Sequence, residues 1–104
     1  MKAMFLAAAT VIAGSGAAAQ DADIEAGATY AEEVCAACHA VLATETYSPL
    51  PEATPFQTIA DTPGMTELAL SVWLQSSHPT MPNIVLEQDD MRNVVAYIRS
   101  LKTP

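Results

Sequence analysis

The sequence predicts an all-α fold: three main helices, joined by loops, gathered around a single hub. Three observations carry that prediction. Apolar residues recur at three- and four-residue spacing in three separate stretches, the mark of helices with one buried face. No convincing strand pattern accompanies them. A five-residue run, Cys35-Ala36-Ala37-Cys38-His39, concentrates both cysteines of the chain and one of its two histidines in a single turn of backbone.

Taken in order, residues 1–19 read as a cleaved secretory signal peptide. Lys2 supplies the positive start, 4–13 an apolar stretch too short to span a bilayer, and Ala17-Ala18-Ala19 the small-residue cleavage site. The mature chain is then 20–104, one small domain of a size that often needs a staple. Its first helix is expected over 23–38, where Ile24, Gly27, Ala28, Ala31, Val34 and Cys35 recur at three and four. Asp21 or Asp23 caps the start, and early acids suit the positive end of the helix dipole. Gly27 inside a helix costs about 1 kcal/mol against alanine, so a close crossing by another helix is expected there.

Residues 40–60 read as loop, because Pro49, Pro51 and Pro55 interrupt any helix, with Phe56 and Ile59 as core residues. A loop of that length in a small domain is ordinarily functional. A second helix is expected over 66–76, capped either by Thr62 with Pro63 in the first turn or by Thr66. Along it Leu68, Val72 and Gln75 form one line, and Leu70, Trp73 and Leu74 another. Residues 76–83 form a polar turn with Met81 between Pro79 and Pro82. The last helix runs from about 87 to 101, with Met91, Val94, Val95, Ile98 and Leu101 as its apolar stripe. Arg99 and Lys102 stand at its negative end.

Cys-x-x-Cys-His is the attachment sequence of c-type haem. Two thiols at that spacing can add to the two vinyl groups of one haem edge, and the adjacent histidine is placed under the iron. Three rivals fit less well. A thioredoxin-like pair sits near a strand-helix-strand pattern. A structural zinc needs four ligands, which would require adjacent Cys38 and His39 both to bind. A disulfide across so short a loop constrains little and leaves His39 without a role. The expectation is one covalent haem c, thioether-bound at Cys35 and Cys38, with His39 as the proximal axial ligand. The porphyrin then completes the core. Thioether formation requires haem delivered outside the cytoplasm, so the motif and the export signal explain each other and point to a bacterial periplasm.

For the opposite face of the iron the candidates in the mature chain are His78, Met65, Met81 and Met91. Met91 belongs to the helical stripe and reads as core. Met65 precedes a helix, and core is its favoured reading too. His78 reads as a loop histidine. Met81 stands in an irregular segment whose backbone is fixed on both sides by proline, leaving its sulfur little entropy to lose; it is the expected distal ligand. A thioether on iron raises the reduction potential, and two protein ligands close the metal to small molecules.

Without its first 19 residues the chain sets twelve carboxylates against Arg92, Arg99 and Lys102, a formal charge of −9. That argues against nucleic acid and anionic membrane as partners. It favours redox-partner proteins with a basic docking surface, met by a monomer with no stable membrane insertion after signal cleavage.

On Gly27, the Cys35–His39 motif, the Met81-Pro82 loop and the ending 93–101, the mature chain resembles a small bacterial class I cytochrome c. That resemblance implies a cytochrome c fold, in which the first and last helices cross at Gly27 against an aromatic, here Tyr97. It also implies a proline carbonyl that accepts the N–H of the proximal imidazole, a place open to Pro49 or Pro51. Tyr47 and Trp73 are candidates for the haem propionates, and equally for packing. Two departures stand out. Ala40 replaces the glycine that often follows the motif histidine, and Tyr30 lies five residues before Cys35 where the family's aromatic lies four before. The function expected is a periplasmic one-electron carrier, not an enzyme. The alternatives are an electron-accepting subunit of a periplasmic dehydrogenase or oxidase, and a haem enzyme or sensor with a displaceable sixth ligand.

Overall fold

The computed structural model describes residues 3–4, 7–10 and 21–104. Lys2 and the cleavage point after Ala19 lie outside the described residues. Among the described residues there is no strand, and no helix is long and apolar enough to cross a membrane.

The first helix, α1, spans Ile24–Tyr30. Asp23 is the cap: its carboxylate accepts the Ala26 N–H at 3.0 Å, satisfying a donor that the helix start leaves free. The Asp23 N–H is held in turn by the Asn93 side-chain oxygen at 2.9 Å, so the start of α1 is bonded to the last helix. The crossing expected at Gly27 is present. A β-carbon there would meet the Asn93 carbonyl oxygen and lie 2.5 Å from its carbon and 3.0 Å from the Tyr97 β-carbon. Only glycine fits.

The helix does not continue as an α-helix to residue 38. After Tyr30 it widens into a π-turn, Ala31–Cys35, closed by the Ala36 N–H on the Ala31 carbonyl at 2.9 Å. A wider turn takes an extra residue to come round, so Tyr30, five positions before Cys35, comes closer to the cysteine's side of the helix than α-helical winding would bring it. Both residues pack on the core. Departure from the family spacing is thus absorbed by the backbone.

The expected loop over 40–60 is shorter than the sequence indicates, because α2 forms at Phe56–Asp61. Pro55 is the last breaker in that stretch. As the N-cap it loses nothing, since a helix start has no partner for its missing N–H. Next, α3 spans Glu67–Gln75 with Thr66 as cap, its hydroxyl accepting the Ala69 N–H at 3.1 Å. The alternative start at Thr62 and Pro63 is taken instead by a turn through Gly64, whose φ is +80°. Finally, α4 spans Gln88–Ser100.

The core lies between α1 and α4, with α2 and α3 laid against α4. Val94, Val95, Tyr97 and Ile98 from α4 meet Ala31, Val41, Phe56, Ala60 and Leu70. Burying a large apolar side chain contributes about 1.5–3 kcal/mol, which is why the stripe read from the sequence fixes how α4 sits. Met91 and Leu101, at its ends, are only partly buried. Of the two lines on α3, Leu70 and Leu74 turn inward, whereas Leu68, Val72 and Trp73 are exposed.

Candidate haem site

Cys35 ends the π-turn, and the chain then folds back on itself: the Cys38 and His39 N–H groups donate to the Cys35 carbonyl at 3.1 and 2.9 Å. This places the two thiols and the imidazole around one tight turn. The following loop returns to the same place. The Leu50 N–H donates to the Cys38 carbonyl at 3.1 Å, the Ser48 hydroxyl accepts the Ala40 N–H at 3.0 Å, and the Phe56 N–H donates to the Ala40 carbonyl at 2.8 Å. Ala40, where the family often has glycine, is buried. Tyr97 adds a brace from α4, its hydroxyl donating to the Val41 carbonyl at 2.5 Å.

His39 is oriented by two contacts. Its Nδ1 lies 2.6 Å from the Thr54 carbonyl oxygen, and the Phe56 ring packs against it with centroids 5.4 Å apart. A carbonyl only accepts, so Nδ1 carries the proton; in the neutral ring this leaves the Nε2 lone pair free, as a metal-binding imidazole needs. The acceptor is therefore neither Pro49 nor Pro51. The 49–51 stretch is used by the return turn to Cys38, while Thr54 precedes Pro55 and is steered away from helical geometry, which leaves its carbonyl outside α2. The signal in the sequence was the Thr54-Pro55 pair; side-chain chemistry could not show it, because the working group is backbone.

An apolar cavity of about 250 Å³ lies beside this turn, walled by Cys35, Phe56, Leu70, Trp73, His78 and Met81 among others. A groove of about 540 Å³ adjoins it, sharing Leu74, His78 and Met81 as common walls. Met81 and Cys35 thus face one space. His78 faces it as well, its Nδ1 3.2 Å from the Ser76 carbonyl and its ring edge-on to Trp73 at 5.5 Å. Met65 also lines the cavity, while Met91 borders only the adjoining groove. Tyr47 points into solvent and walls neither space, whereas Trp73 stands at the rim, half exposed.

The donor set fits haem c. Two thiols and one imidazole come from a single turn; Cys35 lines the apolar cavity together with Met65, Met81 and His78, whereas Cys38 and His39 are not among its walls. Burial pushes the Cys35 thiol up to about 11. A thiol redox centre works as a thiolate with a lowered pKa, so this environment disfavours a dithiol role. Among the described residues no three His, Cys, Asp or Glu side chains gather in a group able to hold a metal ion.

Comparison with curated proteins and with solved structures gave no match. The cytochrome c family model matches residues 24–102, from the first residue of α1 to just beyond α4. By the extent of that match, the chain belongs to the cytochrome c family, whose members bind haem c covalently and use it for electron transfer.

Proposed function

We propose that residues 20–104 form a soluble, monomeric, periplasmic one-electron carrier with a single haem c, and that 1–19 is its export signal. Cys35 and Cys38 form the thioethers, His39 is the proximal ligand and Met81 the distal one. The observation that carries this reading is the shared apolar cavity, with Cys35 on one wall and Met81 on another, beside an imidazole already fixed in its ligating tautomer. When bound, the haem supplies a ferric/ferrous couple. The chain's part is to exclude water with Phe56, Ile59 and Leu70, and to hold the His39 lone pair in one orientation. Two axial ligands from protein suit fast one-electron exchange with little rearrangement and suit substrate chemistry badly, hence a carrier and not an enzyme. The acidic surface favours a partner with a basic docking face, and the reaction with such a partner slows as salt is added.

The test is the oxidised spectrum of the holoprotein. The weak near-infrared sulfur-to-iron band is expected in the wild type and absent in Met81→Ala. A wild type that is high-spin or lacks the band overturns Met81 as ligand, and His78 is then the first candidate to replace it.

One observation favours a second reading, an electron-accepting subunit of a larger oxidoreductase. Leu68, Val72 and Trp73 are exposed on α3, and Trp73 is also at the cavity rim. Co-purification with a larger periplasmic protein, lost on Leu68→Glu or Val72→Glu, separates a subunit from a free carrier.

A further inference from the structure

The short helix α2 connects the proximal histidine to the far end of the molecule. At its start the Thr54 carbonyl holds His39 Nδ1, and the Phe56 side chain packs on the imidazole. Six residues of helix are too few to be stable alone, so something outside must hold α2 in place. Packing of Phe56 and Ala60 does part of this. The polar part is done by two side chains, Gln57 and Asp61, of which Gln57 reaches the more widely separated partners. Gln57 Oε1 accepts the Thr44 N–H at 3.1 Å, from the loop that follows the cysteine motif. Gln57 Nε2 donates to the Leu101 carbonyl at 2.6 Å, at the end of α4, and to Asp61 Oδ2 at 3.0 Å. Asp61 in turn binds Thr103, accepting its backbone N–H at 2.7 Å and its hydroxyl at 2.8 Å.

Both ends of the Gln57 amide are therefore used, and they tie two separate stretches of chain, the loop at Thr44 and the end of α4 at Leu101, to α2. A leucine of similar size could fill the space and could make none of these bonds. We propose that Gln57 is a positioning residue for the proximal imidazole: by fixing α2 between the 40–55 loop and the end of α4, it keeps the Thr54 carbonyl on His39 Nδ1. The inference rests on the reading of His39 as an axial ligand. The Nδ1–H bond makes the imidazole a stronger donor to iron and favours the ferric state. Loosening α2 weakens that bond, so the reduction potential rises and the Nδ1 proton becomes easier to exchange.

The test uses the reduced holoprotein, followed by NMR and by redox titration. In the wild type the His39 ring protons carry the large shift of an iron-bound imidazole; if they do not, the axial reading fails and this inference fails with it. In Gln57→Leu those shifts persist, the His39 Nδ1 proton exchanges with solvent about tenfold faster, equivalent to losing roughly one net hydrogen bond, and the potential moves up. Gln57→Glu keeps the acceptor for Thr44, loses the donor to Leu101 and sets a second carboxylate beside Asp61. The same two changes are expected there, so a leucine variant that fails to accumulate does not protect the idea. A lowered melting temperature with unchanged exchange and unchanged potential, in either variant, reduces Gln57 to a structural residue and overturns the proposal while leaving His39 on the iron.

Discussion

On one flank of the cavity His39 hangs in a net of long-range bonds. Thr54 holds its ring, and Ser48, Leu50 and Phe56 hold the backbone beside it. On the other flank the bonds of the Met81 segment are local. The Met81 N–H donates to the His78 carbonyl at 3.2 Å, and the His78 ring bonds to the Ser76 carbonyl and packs on Trp73. Side chains from that segment face the cavity, yet no helix underlies them. The chain thus holds His39 by bonds to residues distant in sequence and Met81 by local ones. Regions with few buried contacts and local bonds open first. On the ligation proposed above, Met81 is accordingly expected to leave the iron first under stress, and His39 only when the fold goes.

The largest expected effect compares one aromatic from each flank. Phe56 is buried, packs on His39 and lies 6.5 Å from the Tyr97 ring. Truncating a buried phenylalanine to alanine costs about 3–5 kcal/mol, and Phe56→Ala should fall in that range in denaturant unfolding of the holoprotein. Trp73 is 52 % exposed and touches His78 edge-on. An aromatic pair of that kind adds about 0.5–1.5 kcal/mol, so Trp73→Ala should cost about 1 kcal/mol. Equal losses at the two sites would mean that the flanks are built alike.

The same division governs how much the sequence showed. Side-chain periodicity made the α4 stripe legible. The cost of glycine inside a helix pointed to a close crossing at Gly27, the family resemblance supplied Tyr97 as its partner, and the cap was narrowed only to Asp21 or Asp23. The hub was legible too, because the spacing of Cys35, Cys38 and His39 is itself the chemistry. What escaped acts through backbone. Three prolines within seven residues concealed that Pro55 opens a helix while Pro49 and Pro51 do not. The carbonyl on His39 belongs to Thr54, whose side chain gives no sign of it. The π-turn compensates for a one-residue displacement of Tyr30 that spacing alone records as a mismatch. On the distal flank the sequence could rank Met81 above His78 and Met65, and all three do line the cavity, so proline framing remains the reason to choose Met81.

A smaller effect tests the distal flank by its strain. Two threonines adopt left-handed backbone, Thr44 with φ 66° beside the proximal loop and Thr80 with φ 72° just before Met81. A β-branched residue in that region costs on the order of 1–3 kcal/mol unless its surroundings impose it. Thr44 has such surroundings, since its N–H is held by Gln57 and its hydroxyl donates to the Ala43 carbonyl. Thr80→Gly should therefore stabilise the protein by up to about 1 kcal/mol, after the entropy that glycine adds to the unfolded chain. Thr44→Gly should gain less. A gain at Thr44 and a loss at Thr80 would invert the comparison.

The smallest effect concerns the outer support of the proximal flank. Hydrogen bonds from the Thr103 backbone, then from Gln57 and the Thr103 hydroxyl, lower the Asp61 pKa from its ordinary value of 3.8. A carboxyl with a depressed folded pKa binds protons more tightly in the unfolded chain. Its contribution to stability is complete above the unfolded value and is lost as pH falls through the folded one. Asp61 is fully exposed, so solvent screening keeps the contribution small. Replacing it by asparagine removes the ionisation and keeps the shape. Stability of the wild type and Asp61→Asn, measured by denaturant unfolding from about pH 6 down to about pH 3, should converge as acid is added, the wild type losing its advantage below the ordinary carboxylate value. Because Asp61 ties α2 to Thr103, and α2 follows directly on the Thr54 carbonyl that holds His39, exchange of the His39 Nδ1 proton should quicken over the same acid range. Parallel stability curves for the two proteins, or Nδ1 exchange that does not change across that range, would show that the C-terminal tie and the imidazole are not linked.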